Sequence, residues 1–281
     1  MEREFKLIQI TDGDEGHCLY NTQCFSPDDK WIAFDSRNDD AEISKTGSVN
    51  MVNTQTFEIL GLYKTENQSL FGPGVGAVSF SPISNRVLFI HGIRNSNQIK
   101  PYGFTRRTGV AIDIESPSRP IFMDARDVMP PFTQGALRGG THAHTWSGDG
   151  QWISFTYNDY IMERLEKVDS SVRDLRTIGV MVPGKRVDVS LDSAGENNSG
   201  LMFSVVVAKV TENPQPESDE INKAFDEGWI GKSGYRRSDG SLQKRAIAFQ
   251  GNVRNTDGSF KTEIFVADLP DDLIKANPGF P

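Results

Sequence analysis

The residues most suited to chemistry are two histidines that stand two positions apart near the middle of the chain. His142 and His144 lie in a strand-like stretch that ends at Trp146, and the turn sequence 147–150, Ser-Gly-Asp-Gly, follows. In a regular strand, residues two apart point to the same face, so both imidazoles could bind one ligand. Imidazole nitrogens suit divalent ions such as Mn, Zn, Fe or Ni. The spacing therefore predicts part of a metal site.

The hairpin around these histidines has two sister copies. In each copy an aromatic residue, a Ser-containing turn and a phenylalanine nine residues after the aromatic occur in the same order, at 25–34, 80–89 and 146–155. Apolar residues flank each turn, as expected for a β-hairpin. A hairpin unit repeated with a further strand pair is typical of a propeller blade. The sequence thus predicts an all-β propeller.

The blade boundaries follow from this repeat. We predict one domain over residues 1–281 with about four blades, near 17–66, 71–128, 138–190 and 200–270. The third blade is expected to contain a strand pair over Ile178–Val187, and the fourth to open on the buried strand Leu201–Ala208. One short inserted helix is predicted from about Asp219 to Glu227, after the N-cap Ser218. Four blades without closure leave an open edge, which a second chain could pair.

Aligning the three hairpins on their aromatic residues identifies partners for the two histidines. Asn21 and Gln23 precede Phe25 by the same intervals at which His142 and His144 precede Trp146. Because the leading strand of a blade lines the axis of a propeller, these four side chains are expected to meet at the mouth of the channel. The alternative is that they only hydrogen-bond the backbone of neighbouring strands, since buried polar groups need partners in any case.

Other side chains are candidates for proton transfer and for anion binding. His91 and His17 could act as acid or base, because the pKa of an unperturbed imidazole is near neutrality. Arg138, in an Arg-Gly-Gly loop, and the adjacent Arg106 and Arg107 could each meet a carboxylate with two hydrogen bonds. Each of these residues alone is equally compatible with packing or surface exposure.

Composition narrows the class of protein. The 281 residues carry 30 Lys and Arg against 38 Asp and Glu, a net charge of −8, which disfavours a nucleic-acid partner. The two cysteines, Cys18 and Cys24, stand in one extended segment, so reduced thiols are expected. The first residues do not have the pattern of an export signal, and no apolar run is long enough to span a bilayer. A cytoplasmic protein without a membrane partner is the expectation.

Four motifs resemble a known family. The stretches 137–146, 153–159, 214–222 and 227–231 are similar to the YidR-like family of bacterial TolB-type β-propellers. The resemblance covers nearly the whole chain and implies a propeller. Members of that family continue through further blades after the counterpart of Ala267–Pro270, so the resemblance implies that this chain lacks the C-terminal blades. It implies a fold and no activity.

Three functions are compatible with these residues. The first is binding of a small, possibly anionic ligand, or an oligosaccharide, at the channel mouth through the His, Asn and Gln cluster. The second is a divalent-metal-assisted enzyme on acidic sugars, similar to oligogalacturonate lyases. There the metal would bind the uronate carboxylate, His91 or His17 would take the proton, and Arg138 would hold the substrate. The third is a scaffold for protein interactions.

Overall fold

The computed structural model describes residues 5–20, 23–39 and 41–275, and their regular structure consists almost entirely of antiparallel strands in chain order. Sheet A contains β1 (Trp31–Asp35), β2 (Ser48–Asn53) and β3 (Ile59–Lys64). The segment before β1 joins this sheet through single bridges at Cys18 and Phe25. A short 3-10 helix, Ile43–Lys45, lies between β1 and β2.

Sheet B follows, again with its strands in chain order. Its members are β4 (Val75–Phe80), β5 (Arg86–Gly92), β6 (Arg107–Asp113) and β7 (Ile121–Phe122). The short strands β8 (Ala125–Arg126) and β9 (Ala136–Leu137) form a parallel pair between sheets B and C.

Sheet C carries the central hairpin. It consists of β10 (Gly139–Trp146), β11 (Ile153–Asp159), β12 (Thr177–Val182) and β13 (Phe203–Val206). The α-helix of the described residues, α1 (Tyr160–Glu166), follows β11 directly and is capped by Asp159, whose carboxylate accepts from two backbone amides.

Sheet D is the last sheet and has three strands. The C-terminal part contains β14 (Ala224–Trp229), β15 (Tyr235–Arg236), β16 (Leu242–Gln243), β17 (Ala246–Arg254), β18 (Phe260–Asp268) and the 3-10 helix Leu273–Lys275. Sheet D has the order β14-β17-β18, and β15 pairs with β16 alone. Ile264 and Val266 of β18 are 73% and 53% exposed, so this edge of the described sheet keeps apolar surface in contact with water.

Three apolar clusters lie between successive sheets, and they form the core. Phe34 is buried in sheet A, while Phe80 and Phe89 of sheet B pack against the apolar residues of sheet A. Leu88, which alternates with Phe89, packs instead with Phe155 of sheet C. The opposite face of sheet C packs against sheet D through a third cluster that includes Ile178 and Phe249. Each inner sheet is therefore apolar on both faces, as its continuous runs of buried residues suggest.

The three predicted hairpins are confirmed. Phe25 bridges Ile32, Phe80 pairs with Val87, and Trp146 pairs with Ile153. The turns close because a serine at each turn holds the backbone; Ser26 and Ser147 each accept from an amide five residues ahead. The expected free thiols are also found, since Cys18 and Cys24 form no disulfide.

Two predictions about the fourth unit are wrong. The segment 219–227 contains no helix: its last residues belong to β14, which pairs with β17. Leu201–Ala208 does not open a new unit, because Phe203–Val206 is the fourth strand of sheet C. β13 pairs the open edge of β12, and the pairing of β14 with β17 outweighs the weak helical periodicity of the segment 219–227.

The Pro-Gly hairpin predicted over Ile178–Val187 is also wrong. β12 ends at Val182 and pairs with β13 twenty residues later, while Val187 makes only a single bridge to Gly200. The predicted boundary between the third and fourth units therefore falls inside sheet C.

Candidate functional site

A β-bulge recurs in the first strand of sheets B, C and D, and it determines where the polar side chains point. The register shifts between Gly76 and Ser79, between His142 and Thr145, and between Phe225 and Gly228. In each bulge a residue without the freedom of glycine has positive φ: Ala77 and Ala143 at 57° and Asp226 at 53°. A bulge places two residues opposite one and redirects the side chain that follows.

The bulge in β10 separates the two histidines. His142 pairs with Thr156 and Thr145 with Ser154, so Ala143 and His144 of β10 together oppose only Phe155 of β11. The assumption that His142 and His144 share a face is therefore wrong, because one extra residue breaks the alternation of the strand. His144 instead packs against Gly109 of sheet B, where a Cβ would stand 2.9 Å from its Nε2.

His144 belongs to a buried chain of hydrogen bonds. Thr141 Oγ1 donates to Asp124 Oδ2 at 2.9 Å, so the 2.9 Å contact from His144 Nε2 makes that nitrogen the donor to Thr141. The other ring nitrogen, Nδ1, is buried without a hydrogen-bond partner. Burial lowers the pKa of His144 to about 3 and raises the pKa of Asp124 to about 6. The imidazole is neutral in this environment.

Gln23, another member of the predicted metal cluster, is engaged by the backbone of sheet C. Gln23 donates from Nε2 to the carbonyl of Trp146 and accepts from its amide, at 2.9 and 3.0 Å, and so joins sheet A to sheet C. Asn21 lies outside the described residues. Within 5–20, 23–39 and 41–275, no group of three His, Cys, Asp or Glu side chains is placed to hold a metal ion.

The two histidines proposed as acid or base lie in different surroundings. His91 donates from Nδ1 to the carbonyl of Gly92 at 2.5 Å and accepts from the hydroxyl of Tyr63 at 2.9 Å, so both ring nitrogens are engaged. Burial lowers the pKa of His91 to about 4. His17 is partly exposed and packs edge-on against Phe34, with ring centroids 4.8 Å apart.

Arg138 makes an ion pair rather than an open anion site. Its guanidinium donates to Asp159 Oδ2 from two nitrogens, at 2.9 and 2.6 Å, and Tyr157 donates to the same oxygen. Because Asp159 also caps α1, Arg138 fixes the junction between β11 and the helix. This contact accounts for the arginine without a ligand.

A different group of side chains does converge, and it begins with Arg107. This residue is 4% exposed, and its guanidinium donates to the hydroxyl of Tyr102 at 2.8 Å and lies over the ring of Phe104 at 4.6 Å. Its Nε is buried without a partner. Over the described part of the chain, no carboxylate forms an ion pair with Arg107, and burial lowers the pKa of its guanidinium.

Arg176 and His142 complete the group from sheet C. The guanidinium of Arg176 lies over the same Phe104 ring at 5.2 Å and donates to the side-chain oxygen of Asn158 at 3.2 Å. The ring of His142 stands 6.0 Å from Phe104, and its Nε2 is buried with no hydrogen-bond partner. Burial, and after it the charge of Arg107, lowers the pKa of His142 well below the usual value. We call Arg107, Arg176, His142 and Phe104 the arginine cluster.

Glu227, from the bulge of β14, approaches the arginine cluster. Its Oε2 accepts from the hydroxyl of Thr156 at 2.8 Å, and Thr156 is the ladder partner of His142. Directly opposed residues of an antiparallel pair have Cβ atoms about 5 Å apart, so Glu227 and His142 flank the same threonine. The Oε1 atom of Glu227 is buried and unpartnered. Burial raises the pKa of this carboxyl to about 8.

Tyr20, in the segment before β1, is influenced by the charges of both Glu227 and Arg107. Burial raises its pKa to about 12, with smaller effects from Glu227 and Arg107 among others. Nevertheless 37% of its surface is exposed. Phe104 is 59% exposed, so the arginine cluster also opens to water.

Sequence reasoning found part of this site. Arg107 was recognised as one of two adjacent arginines, and His142 through its spacing. Arg176 and Glu227 carry no local signal, because only the pairing of distant strands brings them near. The adjacent Arg106 is different in kind, since it pairs with Glu196 at 3.1 Å.

These features define the class of protein as an all-β chain of antiparallel sheets in which Arg107, Arg176 and His142 converge on the ring of Phe104. Comparison with known proteins finds one matching family model and one similar relative. Residues 74–196 match the family model described as "Protein of unknown function (DUF3748)". The chain is 37% identical over 267 residues, 95% of its length, to "Uncharacterized protein YidR" of Escherichia coli (strain K12).

The chain matches only part of the length of its relative. The chain spans 58% of the length of the Escherichia coli protein. Among solved structures, a putative 6-phosphogluconolactonase from Bacteroides uniformis ATCC 8492 aligns over 84% of this chain and 68% of its own, with 11% identity and a TM-score of 0.26. A likeness this weak carries no argument about fold or activity. No helix in the described ranges is long and apolar enough to cross a membrane.

Proposed function

We propose that this protein binds a small oxyanion, a carboxylate or a phosphate, at the arginine cluster. The observation that carries the proposal is the state of Arg107: a guanidinium that is 4% exposed, with a buried Nε that lacks a partner and no carboxylate paired to it in the described ranges. Buried charges in proteins are normally paired. A bound anion would supply the missing counter-charge.

The geometry of the neighbours supports the same ligand. Arg107 and Arg176 both lie over Phe104, at 4.6 and 5.2 Å, so the ring holds two like charges close together. Guanidinium groups match carboxylate and phosphate oxygens with paired hydrogen bonds. The free Nε2 of His142 offers a third hydrogen-bonding position beside them. Unpartnered nitrogens of Arg107 and His142, together with the guanidinium of Arg176, thus lie around one aromatic ring.

We propose further that sheets A to D are four blades of a TolB-like propeller and that the site lies at their axial ends. Support comes from the chain-order pairing of each sheet, the apolar cluster between each successive pair, and the bulge repeated in the first strands of sheets B, C and D. In such an arrangement the first strands, which carry His142 and Glu227, are innermost.

A thermal-shift titration tests the binding proposal. Inorganic phosphate and acetate are added at fixed ionic strength to the parent protein and to Arg107→Met and Arg176→Met. A ligand that binds only the folded state stabilises it by about 2.7 kcal/mol at one hundred times its dissociation constant. The melting temperature of the parent should rise with at least one anion, and each substitution should remove the rise.

Arg173→Met is the matched control for the loss of one positive charge. Arg173 is exposed and pairs with Glu166 at 3.7 Å, so its removal changes the net charge without touching the arginine cluster. The control should keep the shift of the parent. Equal shifts in all four proteins would mean a non-specific salt effect and would refute the proposal.

The metal-assisted enzyme remains a second candidate because the ring nitrogens Nε2 of His142 and Nδ1 of His144 are both without partners. A divalent ion at either nitrogen is the requirement of that hypothesis. Metal analysis of the purified protein, and melting with added Mn, Zn or Ni, tests it against His142→Ala and His144→Ala. If no metal co-purifies and the variants respond as the parent does, the lyase-like hypothesis is lost.

A further inference from the structure

The unpartnered carboxyl oxygen of Glu227 indicates what else the ligand carries. Glu227 reaches from sheet D to sheet C, where Thr156 holds its Oε2 at 2.8 Å, and it is 8% exposed. Its Oε1 is buried and has no partner. A buried polar atom without a partner destabilises the folded state, so a ligand group that pairs with Oε1 would be favoured.

The position of this oxygen relates it to the arginine cluster. Thr156 and His142 oppose each other in the ladder of β10 and β11, so Glu227 and His142 lie on either side of one hydroxyl. The charges of Glu227 and Arg107 both affect the pKa of Tyr20. A ligand whose anionic end meets Arg107 and Arg176 would therefore extend toward Glu227.

We propose that the ligand of this site is a hydroxylated anion, a sugar acid or a sugar phosphate, whose hydroxyl pairs with Glu227 while its charged group meets the two arginines. This inference rests on the proposed function. A hydroxyl fits because it both donates and accepts, so it can pair with a carboxyl group in either protonation state. An ammonium group could pair only with the ionised form.

The surroundings of Glu227 favour a neutral carboxyl at pH 7, since burial raises its pKa to about 8. With Thr156 donating to Oε2, the proton of the neutral acid falls on Oε1. This atom then donates to a hydroxyl oxygen of the ligand. Such a neutral partner adds no negative charge that would oppose the anion nearby.

Two matched pairs of probes test the inference by isothermal titration at constant ionic strength. D-Glucuronate is compared with cyclohexanecarboxylate, and D-glucose 1-phosphate with cyclohexyl phosphate. Each pair shares a six-membered ring and its anionic group, and the sugar member adds the ring oxygen and the hydroxyl-bearing substituents. The parent should bind the hydroxylated member of at least one pair about tenfold more tightly. The pair that shows this preference distinguishes a sugar acid from a sugar phosphate.

Substitutions of Glu227 assign the preference to this side chain. Glu227→Leu should reduce the ratio of the two affinities about tenfold, whereas Glu227→Gln, which keeps a donor and an acceptor, should keep the ratio within about threefold. If the leucine variant does not fold, Thr156→Val, which releases the orienting hydrogen bond, should lower the ratio in the same direction. Arg173→Met should leave the ratio unchanged.

The outcomes separate the two proposals. If the parent binds the ring anions without preferring the hydroxylated ones, or if Glu227→Leu keeps the preference, the inference is overturned while the oxyanion site survives. If the parent binds none of the four probes and no simple anion, both proposals fall together.

Discussion

Arg106 and Arg107 are adjacent in sequence and equally buried, at 5% and 4% exposure, yet they should respond in opposite ways to substitution. Arg106 is paired with Glu196 at 3.1 Å. Breaking a buried ion pair by removing one partner costs about 3–5 kcal/mol. Because Arg126 and Lys100 still contact Glu196, we take the lower end and expect Arg106→Met to lose about 3 kcal/mol of unfolding free energy.

Arg107→Met removes a charge that no carboxylate compensates in the described ranges. The losses are a hydrogen bond to Tyr102 at 2.8 Å, about 1.5–3 kcal/mol, and a contact with Phe104, about 0.5–2 kcal/mol. The gain is relief from the desolvation of a buried ion, several kcal/mol after relaxation. The terms nearly cancel, so the unfolding free energy should change by no more than about 1 kcal/mol.

Thermal and urea unfolding in a buffer free of phosphate and carboxylates measures the difference. For a chain of this size 1 kcal/mol corresponds to about 2 °C or slightly more, so Arg106→Met should melt at least about 4 °C below Arg107→Met. If both variants lose the same stability, Arg107 is a structural residue that the two aromatic contacts explain, and the reasoning behind the arginine cluster is refuted.

The remaining predictions concern pH and one ion pair. Arg138→Ala should lower the unfolding free energy by about 3 kcal/mol, because it leaves the buried carboxylate of Asp159 without its ion-pair partner. The affinity for anions, measured by titration, should not change. The pKa of His91 is lowered to about 4, so as the pH falls the unfolded state binds a proton before the folded state does. The stability that neutral His91 contributes is therefore lost between pH 6.5 and about 4, by about 3 kcal/mol. Unfolding of His91→Gln, measured as a function of pH, should lack this loss. For Glu227 the sign is reversed, because its pKa is raised to about 8 and the folded protein loses stability as the pH rises from 4.5 through about 8. Over that range the unfolding free energy of Glu227→Gln should increase relative to that of the parent by a few kcal/mol, in the same assay. An anion beside His142 favours its protonated form, so calorimetry should show proton uptake on binding and higher affinity at lower pH, and His142→Gln should abolish both.

The parts of the fold that depend on local chemistry could be predicted from the sequence. The hairpins at Phe25, Phe80 and Trp146 follow from turn residues whose side chains hydrogen-bond nearby backbone amides, and from the alternation of apolar and polar residues in the flanking strands. The segment 219–227 has apolar residues at helical spacing, but its end, Ala224–Trp229, completes the pairing of sheet D. Tertiary pairing overrode a weak local preference there.

The candidate site was harder to predict because one residue of register decides it. Because of the bulge at Ala143, the side chain of His144 is buried against Gly109. His142, in contrast, has a ring nitrogen without a hydrogen-bond partner near the arginines. Nothing in the spacing of two histidines signals such a bulge, since it is fixed by the partner strand. Glu227 occupies the corresponding bulge of sheet D, and only this structural equivalence brings it to notice.

Anomalous diffraction from crystals soaked in selenate tests the central claim most directly, because selenium marks the position of a bound oxyanion. The account predicts a peak within about 4 Å of the guanidinium groups of Arg107 and Arg176, as charge-assisted hydrogen bonds require, and its absence in Arg107→Met crystals. Selenate found only on exposed lysines or arginines, with the space beside His142 empty in the parent, would contradict it.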